Sequence, residues 1–117
     1  MAGTLEMLRS PRDFAALQEL GRTRSHPLLT IRIRRNDLGG DRFGIATGRR
    51  LGSAVVRNRV RRRVREILRR IDPLDSSGWD VLIVPRPASV AATYAELRSA
   101  VEALLRSGLT KEGIVSK

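Results

Sequence analysis

Apolar residues recur at helical spacing in three segments of the chain, and two other segments show patterns typical of strands. The first helical segment opens with Ser10-Pro11-Arg12-Asp13, where serine can cap, proline fits the first turn and an acid suits the helix N-terminus. Its apolar positions are Phe14, Leu17 and Leu20, and Gly21 follows them. We therefore predict a short helix that ends at Gly21 and packs through these three side chains.

Three strands are predicted, two from their own apolar pattern and one from the turn that precedes it. Leu29, Ile31 and Ile33 alternate with polar residues, which predicts a half-buried strand with a basic outer face. The turn-forming cluster at 36–41 predicts a hairpin to a second strand at about 42–48. The nearly all-apolar run DVLIVP, residues 80–85, predicts a strand that is covered on both faces. Whether a further strand lies within 21–35 is left open by the pattern.

The longest helical segment follows Ser53, a capping residue, and extends to about Ile71, because the Asp72-Pro73 pair disfavours helix. Its apolar residues fall within about a third of the circle and predict a buried stripe: Val56, Val60, Val64, Ile67, Leu68 and Ile71. A capping box, Thr93 to Glu96, opens the last helix, which is predicted to end at Gly108. Its predicted buried residues are Tyr94, Leu97, Val101, Leu104 and Leu105.

These elements predict an α+β fold in the order α-β-β-α-β-α. We expect a single-domain α/β sandwich over 1–117, with a small, mainly antiparallel sheet and flanking helices. The long helix would lie between two strands in a β-α-β crossover. The ordered core is predicted at about 9–108, with frayed tails at 1–8 and 110–117.

Composition excludes several classes of protein. The 117 residues contain no cysteine and one histidine, which argues against disulfide frameworks and against zinc sites. No apolar run reaches the roughly 20 residues of a membrane span, and we see no signal peptide, so we expect a cytoplasmic protein without a membrane partner. The net charge is +11, and 21 of the 23 cations are arginine. Such an excess of positive charge attracts polyanions.

The arginines concentrate on the long helix. Residues 54–71 read AVVRNRVRRRVREILRRI, with eight arginines and one acid, Glu66. Charge runs are usually solvated helix faces, but those mix signs, whereas like charges four residues apart each cost about 0.2–0.5 kcal/mol. A nucleic acid would relieve this repulsion. Asn58 stands out on the same face, and its amide could bind a base edge or sugar, although an asparagine tolerated in the first turn explains it equally well.

Residues 44–62, GIATGRRLGSAVVRNRVRR, resemble the signature of the protein subunit of bacterial ribonuclease P. The centre is Arg57-Asn58-Arg59, followed by Arg61-Arg62 and by Arg65-Glu66. The resemblance covers roughly 8–107 and includes Asp13-Phe14, the DVLIVPRP segment and the last helix. It implies an accessory subunit of an endoribonuclease that removes 5′ leaders from precursor tRNA. It also implies a left-handed crossover, whereas nearly all β-α-β units are right-handed, so the sequence pattern alone would predict a right-handed one.

The resemblance implies that the RNA subunit carries the chemistry, with Mg²⁺ held mainly by that RNA and none by the protein alone. No catalytic side chain and no small-molecule substrate are expected. The implied contacts with the RNA subunit are Arg49, Arg50, Arg57, Asn58, Arg59, Arg61, Arg62 and Arg65. The implied contacts with the single-stranded leader are Phe14, Leu17, Ile31, Arg32 and Arg34. The chain departs from the family at Gln18 and Ile31, where relatives have aromatic rings, and at Gly48, where serine is common.

Three other functions are alternatives for a chain with this charge pattern. A ribosomal-type or other structural RNA-binding protein would use the same charges and is the main alternative. A helix-turn-helix DNA reader would need a short helix before the arginine helix, which the pattern lacks. A metal-dependent protein nuclease would need clustered acids, whereas the twelve acids here are scattered along the sequence.

Overall fold

The fold is described from a computed structural model, which covers residues 7–8, 10–36, 40–71 and 78–111, with side chains to 107. In this part of the chain three α-helices surround a four-stranded sheet. The helices are α1 (Pro11–Leu20), α2 (Ala54–Arg70) and α3 (Tyr94–Lys111). The strands are β1 (Arg22–Ser25), β2 (Leu29–Arg35), β3 (Arg42–Ile45) and β4 (Trp79–Pro85). Short 3-10 turns cover Arg49–Leu51 and Pro87–Val90.

The strand order is β1-β2-β4-β3. β2 runs antiparallel to β1 and β4, and β3 runs parallel to β4, so the sheet is mainly antiparallel, as predicted. α2 connects the parallel neighbours β3 and β4, which confirms the β-α-β crossover. Its left hand remains a prediction. The predicted hairpin is wrong, because β4 lies between β2 and β3; β2 forms its hairpin with β1 instead.

The helix boundaries follow the predicted caps. The Ser10 hydroxyl accepts from the Arg12 N–H at 3.1 Å, and that of Ser53 from the Val56 N–H at 3.3 Å. In the capping box, the Thr93 N–H donates to Glu96 at 2.8 Å, and the Glu96 N–H donates to the Thr93 hydroxyl at 3.1 Å. The predicted end of the last helix is wrong, because α3 continues past Gly108 to Lys111. Asp72-Pro73 lies outside the described residues.

The main core lies between the sheet and the pair α2 and α3. The predicted stripe of α2 contributes Val60, Val64, Ile67 and Leu68 as buried residues, with Val56 and Ile71 partly covered. Leu97, Val101, Leu104 and Leu105 of α3 are buried there as predicted, and Tyr94 packs at the edge. Trp79 and Val81 of β4 complete this side, whereas Leu82 points to the other, which confirms that β4 is covered on both faces.

A smaller core lies on the opposite side of the sheet, beneath α1. It consists of Leu8, Leu17 and Leu82, with Phe14 packed against them. Leu20 is 61% exposed, so the prediction that it also faces the sheet is wrong; α1 meets this core only around Phe14 and Leu17.

The N-terminal segment takes part in the sheet. Met7 forms a parallel bridge with Phe43, and the Leu8 N–H donates to the Phe43 carbonyl oxygen at 2.7 Å. The prediction of a frayed tail is therefore wrong for these two residues. At the other end of the chain, Thr110 and Lys111 of the predicted tail belong to α3. Positions 1–6 and 112–117 lie outside the described residues. In the part of the chain that is described, no helix is long and apolar enough to cross a membrane.

Candidate nucleic-acid interface

The outer side of α2 carries the predicted RNA contacts. Because Val60, Val64 and Ile67 face the core, the arginines between them point outward. We use the term arginine face for the predicted set on this helix and the preceding 3-10 turn: Arg49, Arg50, Arg57, Asn58, Arg59, Arg61, Arg62 and Arg65. Every one of these residues is exposed or half-exposed. The structure thus brings the whole predicted set to the surface of one helix and its adjoining turn.

A glycine shapes the turn before α2. Gly52 has φ 132°, a left-handed value that L residues with a side chain rarely adopt. It lies between the 3-10 turn Arg49–Leu51 and the capping residue Ser53. Leu51 is buried and anchors the turn, while Arg49 and Arg50 are exposed beside the first turn of the helix. The glycine therefore lets the chain turn sharply and present two further cations next to α2.

Three of the eight α2 arginines have partners among the described residues. Arg61 donates to Oδ1 of Asn58 at 2.7 Å and to the Thr47 hydroxyl. Arg63 donates to the Ala92 carbonyl oxygen at 3.0 Å. Arg70 pairs with Glu66 at 2.8 Å, and this hydrogen bond raises the pKa of Arg70.

The other five α2 arginines have no hydrogen bond or ion pair within the described part of the chain: Arg57, Arg59, Arg62, Arg65 and Arg69. Glu66, the one acid of the helix, is occupied by Arg70. Most other described acids also have partners, as Asp13 and Asp80 do in Arg42 and Glu102 does in Arg98. The helix therefore presents a concentrated positive charge that the described residues do not neutralise, and such a surface binds polyanions.

On the other side of the sheet, Phe14 lies over a glycine. A Cβ atom at Gly44 would lie 2.8 Å from Cε1 of Phe14, so only glycine allows this close approach. The ring packs against the smaller core and remains half-exposed. Phe14 is thus positioned at the edge of the core, which is the placement that a stacking role requires.

Two of the residues that were predicted to contact the leader are buried. The Leu17 side chain is 0% exposed under α1, and the Ile31 side chain is 0% exposed between the sheet and the helices α2 and α3. Neither offers a surface to a bound strand. Ile31 also lies on the face of β2 opposite α1, because side chains alternate along a strand. Its neighbour Thr30, paired with Val84, occupies the α1 side.

Arg32 and Arg34 both point to the α1 side of β2, but they differ in the hydrogen bonds that they make with the rest of the protein. Arg32 donates to the Leu17 carbonyl oxygen at 3.0 Å, to the Gln18 carbonyl oxygen, and to the Thr23 hydroxyl at 2.9 Å. All three guanidinium nitrogens of Arg32 therefore contact α1 or β1, and its contact with the leader stays a prediction. Arg34 is half-exposed and makes no hydrogen bond or ion pair with the described residues.

A charged cluster beneath α1 was missed by the sequence analysis. The Arg42 guanidinium donates to both carboxylate oxygens of Asp80, at 2.9 and 2.7 Å, and to Asp13 of α1 at 3.1 Å. Asp80 is 2% exposed and also accepts from Asn36 at 2.8 Å. The hydrogen bond to Asp80 raises the pKa of Arg42, so this guanidinium stays charged at any ordinary pH. A lone acid at the start of the all-apolar run at 80–85 was the available signal.

The described residues contain no group of three or more histidine, cysteine, aspartate or glutamate side chains that could hold a metal ion. The acids instead have structural contacts. Asp41, for example, accepts from the Trp79 N–H at 2.9 Å, and Asp80 accepts hydrogen bonds from Arg42 and Asn36.

Comparisons with known proteins agree with this architecture. A family model described as Ribonuclease P matches residues 3–108. The ribonuclease P protein component of Herpetosiphon aurantiacus is 41% identical over 101 residues, covering 86% of this chain and 82% of the relative. That of Chloroflexus aggregans is 42% identical over 100 residues, covering 85% and 74%.

Solved structures show the same fold. The RNase P protein from Thermotoga maritima superposes with a TM-score of 0.76 at 29% identity, covering 87% of this chain and 96% of that one. The Staphylococcus aureus RNase P protein, 20% identical, superposes with a TM-score of 0.74 over 88% of this chain and supports the fold alone. Together with the family match, these similarities show that the chain belongs to the ribonuclease P protein family, the protein component of a ribonucleoprotein endoribonuclease that processes tRNA.

Proposed function

We propose that this chain binds the catalytic RNA subunit of ribonuclease P through the arginine face and assists endonucleolytic removal of the 5′ leader from precursor tRNA. The observation that carries the proposal is the set of five α2 arginines without partners among the described residues, beside a single acid that is already paired. Arginine suits an RNA partner, because its planar fork contacts phosphates bidentately and stacks on bases.

The leader would bind on the side of the sheet that carries α1. Half-exposed Phe14 supplies a ring for stacking, and Arg34 supplies a cation on the same side of the sheet. Stacking on an aromatic ring holds a single strand whatever its sequence, and a nearby cation screens its backbone. This arrangement suits leaders of differing sequence.

The cleavage chemistry would belong to the RNA subunit, with Mg²⁺ held mainly by that RNA. The acids described above serve as caps and ion-pair partners, and a metal-binding cluster among the described residues is lacking. The chain's own contribution is binding and orientation in a cytoplasmic ribonucleoprotein: α2 holds one RNA while the α1 side holds the leader of another.

The experiment is recovery of the chain from cells with its bound RNA, followed by sequencing and by reconstitution of cleavage. We expect one long non-coding RNA to dominate, and the chain to increase cleavage of precursor tRNA by that RNA. Replacing Arg59, Arg62 and Arg65 with alanine should abolish the enrichment. As a control of equal charge, Arg24, Arg86 and Arg98, which lie outside α2, should be replaceable with little effect on it.

A ribosomal-type RNA-binding protein would give a different result. Such a protein would be recovered with ribosomal RNA, and it would not stimulate leader removal in the reconstituted reaction. That outcome would overturn the proposal, since the arginine face alone does not distinguish one structured RNA from another.

A further inference from the structure

α1 is attached to the rest of the protein by few apolar contacts. Leu17 is its one fully buried residue, and Phe14 is half-exposed. A helix of ten residues is marginal without tertiary support. The position of α1 over the sheet must therefore depend strongly on its polar contacts.

Two arginines from the sheet supply these polar contacts, one at each end of α1. In the first turn of the helix, Asp13 accepts from Arg42 of β3 at 3.1 Å. In the last turn, the carbonyl oxygens of Leu17 and Gln18 accept from Arg32 of β2, where a cation also complements the helix dipole.

Each guanidinium is also fixed on its other side. Arg42 is held by both oxygens of Asp80, whose side chain is 3% exposed, and Arg32 by the Thr23 hydroxyl at 2.9 Å. Neither arginine is therefore free to follow α1 if the helix moves. The two residues act as rigid bridges between the sheet and the two ends of the helix.

We infer that Arg42 and Arg32 are positioning residues, which fix α1 over the sheet and thereby set the geometry of the site that holds the leader. The inference rests on the proposed function. The two arginines act through Phe14, which follows Asp13 and lies over Gly44, so a small displacement of α1 would move the ring away from its place. The arginine face lies on the opposite side of the sheet and should be unaffected.

The test uses Asp13→Ala in the reconstituted complex with the RNA subunit. This change removes the α1 end of one bridge but leaves the pair of Arg42 with buried Asp80 intact. Glu19→Ala is the matched control, because Glu19 lies exposed on the same helix, carries the same charge and has no partner among the described residues. The measured quantity is the ratio of affinities for precursor tRNA with a leader of several nucleotides and for mature tRNA.

We expect Asp13→Ala to lower this ratio about three- to tenfold, Asp13→Asn to restore part of the loss through its remaining oxygen, and Glu19→Ala to leave the ratio unchanged. Arg32→Lys keeps the charge but replaces the planar fork by a point charge, and it should lower the ratio similarly. Faster hydrogen exchange of α1 amides, with unchanged affinity for the RNA subunit, would accompany both effects.

Three failures are distinguishable. If the wild-type complex prefers precursor over mature tRNA but Asp13→Ala and Arg32→Lys both match Glu19→Ala, the inference is wrong and the proposed function stands. If the wild-type complex itself shows no preference for the leader, the proposed leader role fails and the inference fails with it. A parallel loss of affinity for the RNA subunit would show general unfolding and would also overturn the inference.

Discussion

The Oδ1 atom of Asn58 accepts a hydrogen bond of 2.7 Å from the guanidinium of Arg61, about one turn further along α2. Because arginine has only donors, this contact fixes the orientation of the amide, with its oxygen towards Arg61. The Thr47 hydroxyl accepts from the same guanidinium and holds it against the segment that follows β3. Asn58 therefore presents its two N–H donors outward, beside arginines that have no partner among the described residues, where acceptor atoms of RNA would meet them.

Asn58→Asp should lower affinity for the RNA subunit by about tenfold or more, and by more than Asn58→Ala. The aspartate keeps an oxygen for Arg61 but replaces the outward donors by a negative charge. Filter binding or calorimetry with the RNA subunit measures the effect. Ser99→Asp, which places the same charge on the exposed side of α3, is the control and should change affinity little. Equal losses for both aspartate variants would show that Asn58 acts through net charge alone.

Replacing Arg59 and Arg62 with alanine should weaken RNA binding and also flatten its dependence on salt. Each phosphate contact that is lost reduces the slope of log affinity against log salt by about 0.7–0.9, so the double variant should lose roughly 1.5 units. The circular dichroism spectrum should stay native, because both side chains are exposed and the apolar stripe is intact. An unchanged slope would exclude these two arginines from phosphate contact.

The like charges on α2 should make the free protein sensitive to anions. Sulfate or phosphate binds the folded state preferentially, so it should raise the melting temperature more than sodium chloride at equal ionic strength. The variant Arg59→Gln with Arg62→Gln should lose most of the sulfate-specific increase, since fewer cations converge on the helix. A sulfate response identical in the wild type and this variant would place anion binding elsewhere.

Local sequence patterns predicted the helices well, because capping and apolar spacing are decided within a few residues. The strand pairing was not predictable in this way. The turn cluster at 36–41 indicates a reversal of the chain, but it does not indicate that β4, some forty residues later, inserts between β2 and β3. Strand order depends on burial of the whole sheet, and β4 is central because both of its faces are covered.

The site shows the same division between local and long-range information. Residues of the arginine face share one helix, so periodicity alone places them outside. The alternation along β2 likewise predicts that Ile31 points inward, and Ile31 is buried. The leader contact at Ile31 was implied by the family resemblance, which does not take this alternation into account. The bridges from Arg42 and Arg32 to α1 join residues 29 and 15 positions apart, and their partners depend on strand register and helix placement. No local pattern predicts them.

Asp80→Asn should destabilise the protein by about 1–3 kcal/mol, because it removes the buried counter-charge of Arg42, which keeps Asp13 as its second partner. Cleavage by complex that has assembled should nevertheless stay within a few-fold of wild type, since the acid is structural. Chemical denaturation measures the first effect and single-turnover cleavage the second. Glu102→Gln, which breaks a more exposed pair with Arg98, should cost at most about 1 kcal/mol. Loss of cleavage by orders of magnitude in folded, RNA-bound Asp80→Asn would instead assign the chain a catalytic carboxylate.

Phe14→Leu tests whether the half-exposed ring contacts the leader. Leucine keeps most of the apolar contact with Leu17 and Leu82, but it has no flat face on which a base can stack. One lost base–aromatic contact is worth about 1–3 kcal/mol, so the variant should bind precursor tRNA at least about fivefold more weakly, and only when the leader spans several nucleotides. Affinities for long-leader precursor and mature tRNA in the reconstituted complex measure the effect.

Phe43→Leu is the matched control, because Phe43 is buried in the core on the opposite side of the sheet, where the same change affects packing alone. Stacking predicts a leader-specific loss for Phe14→Leu with little change in melting temperature, and a stability loss without leader specificity for Phe43→Leu. If both variants weaken binding of precursor and mature tRNA equally, Phe14 serves only to pack α1 on Gly44.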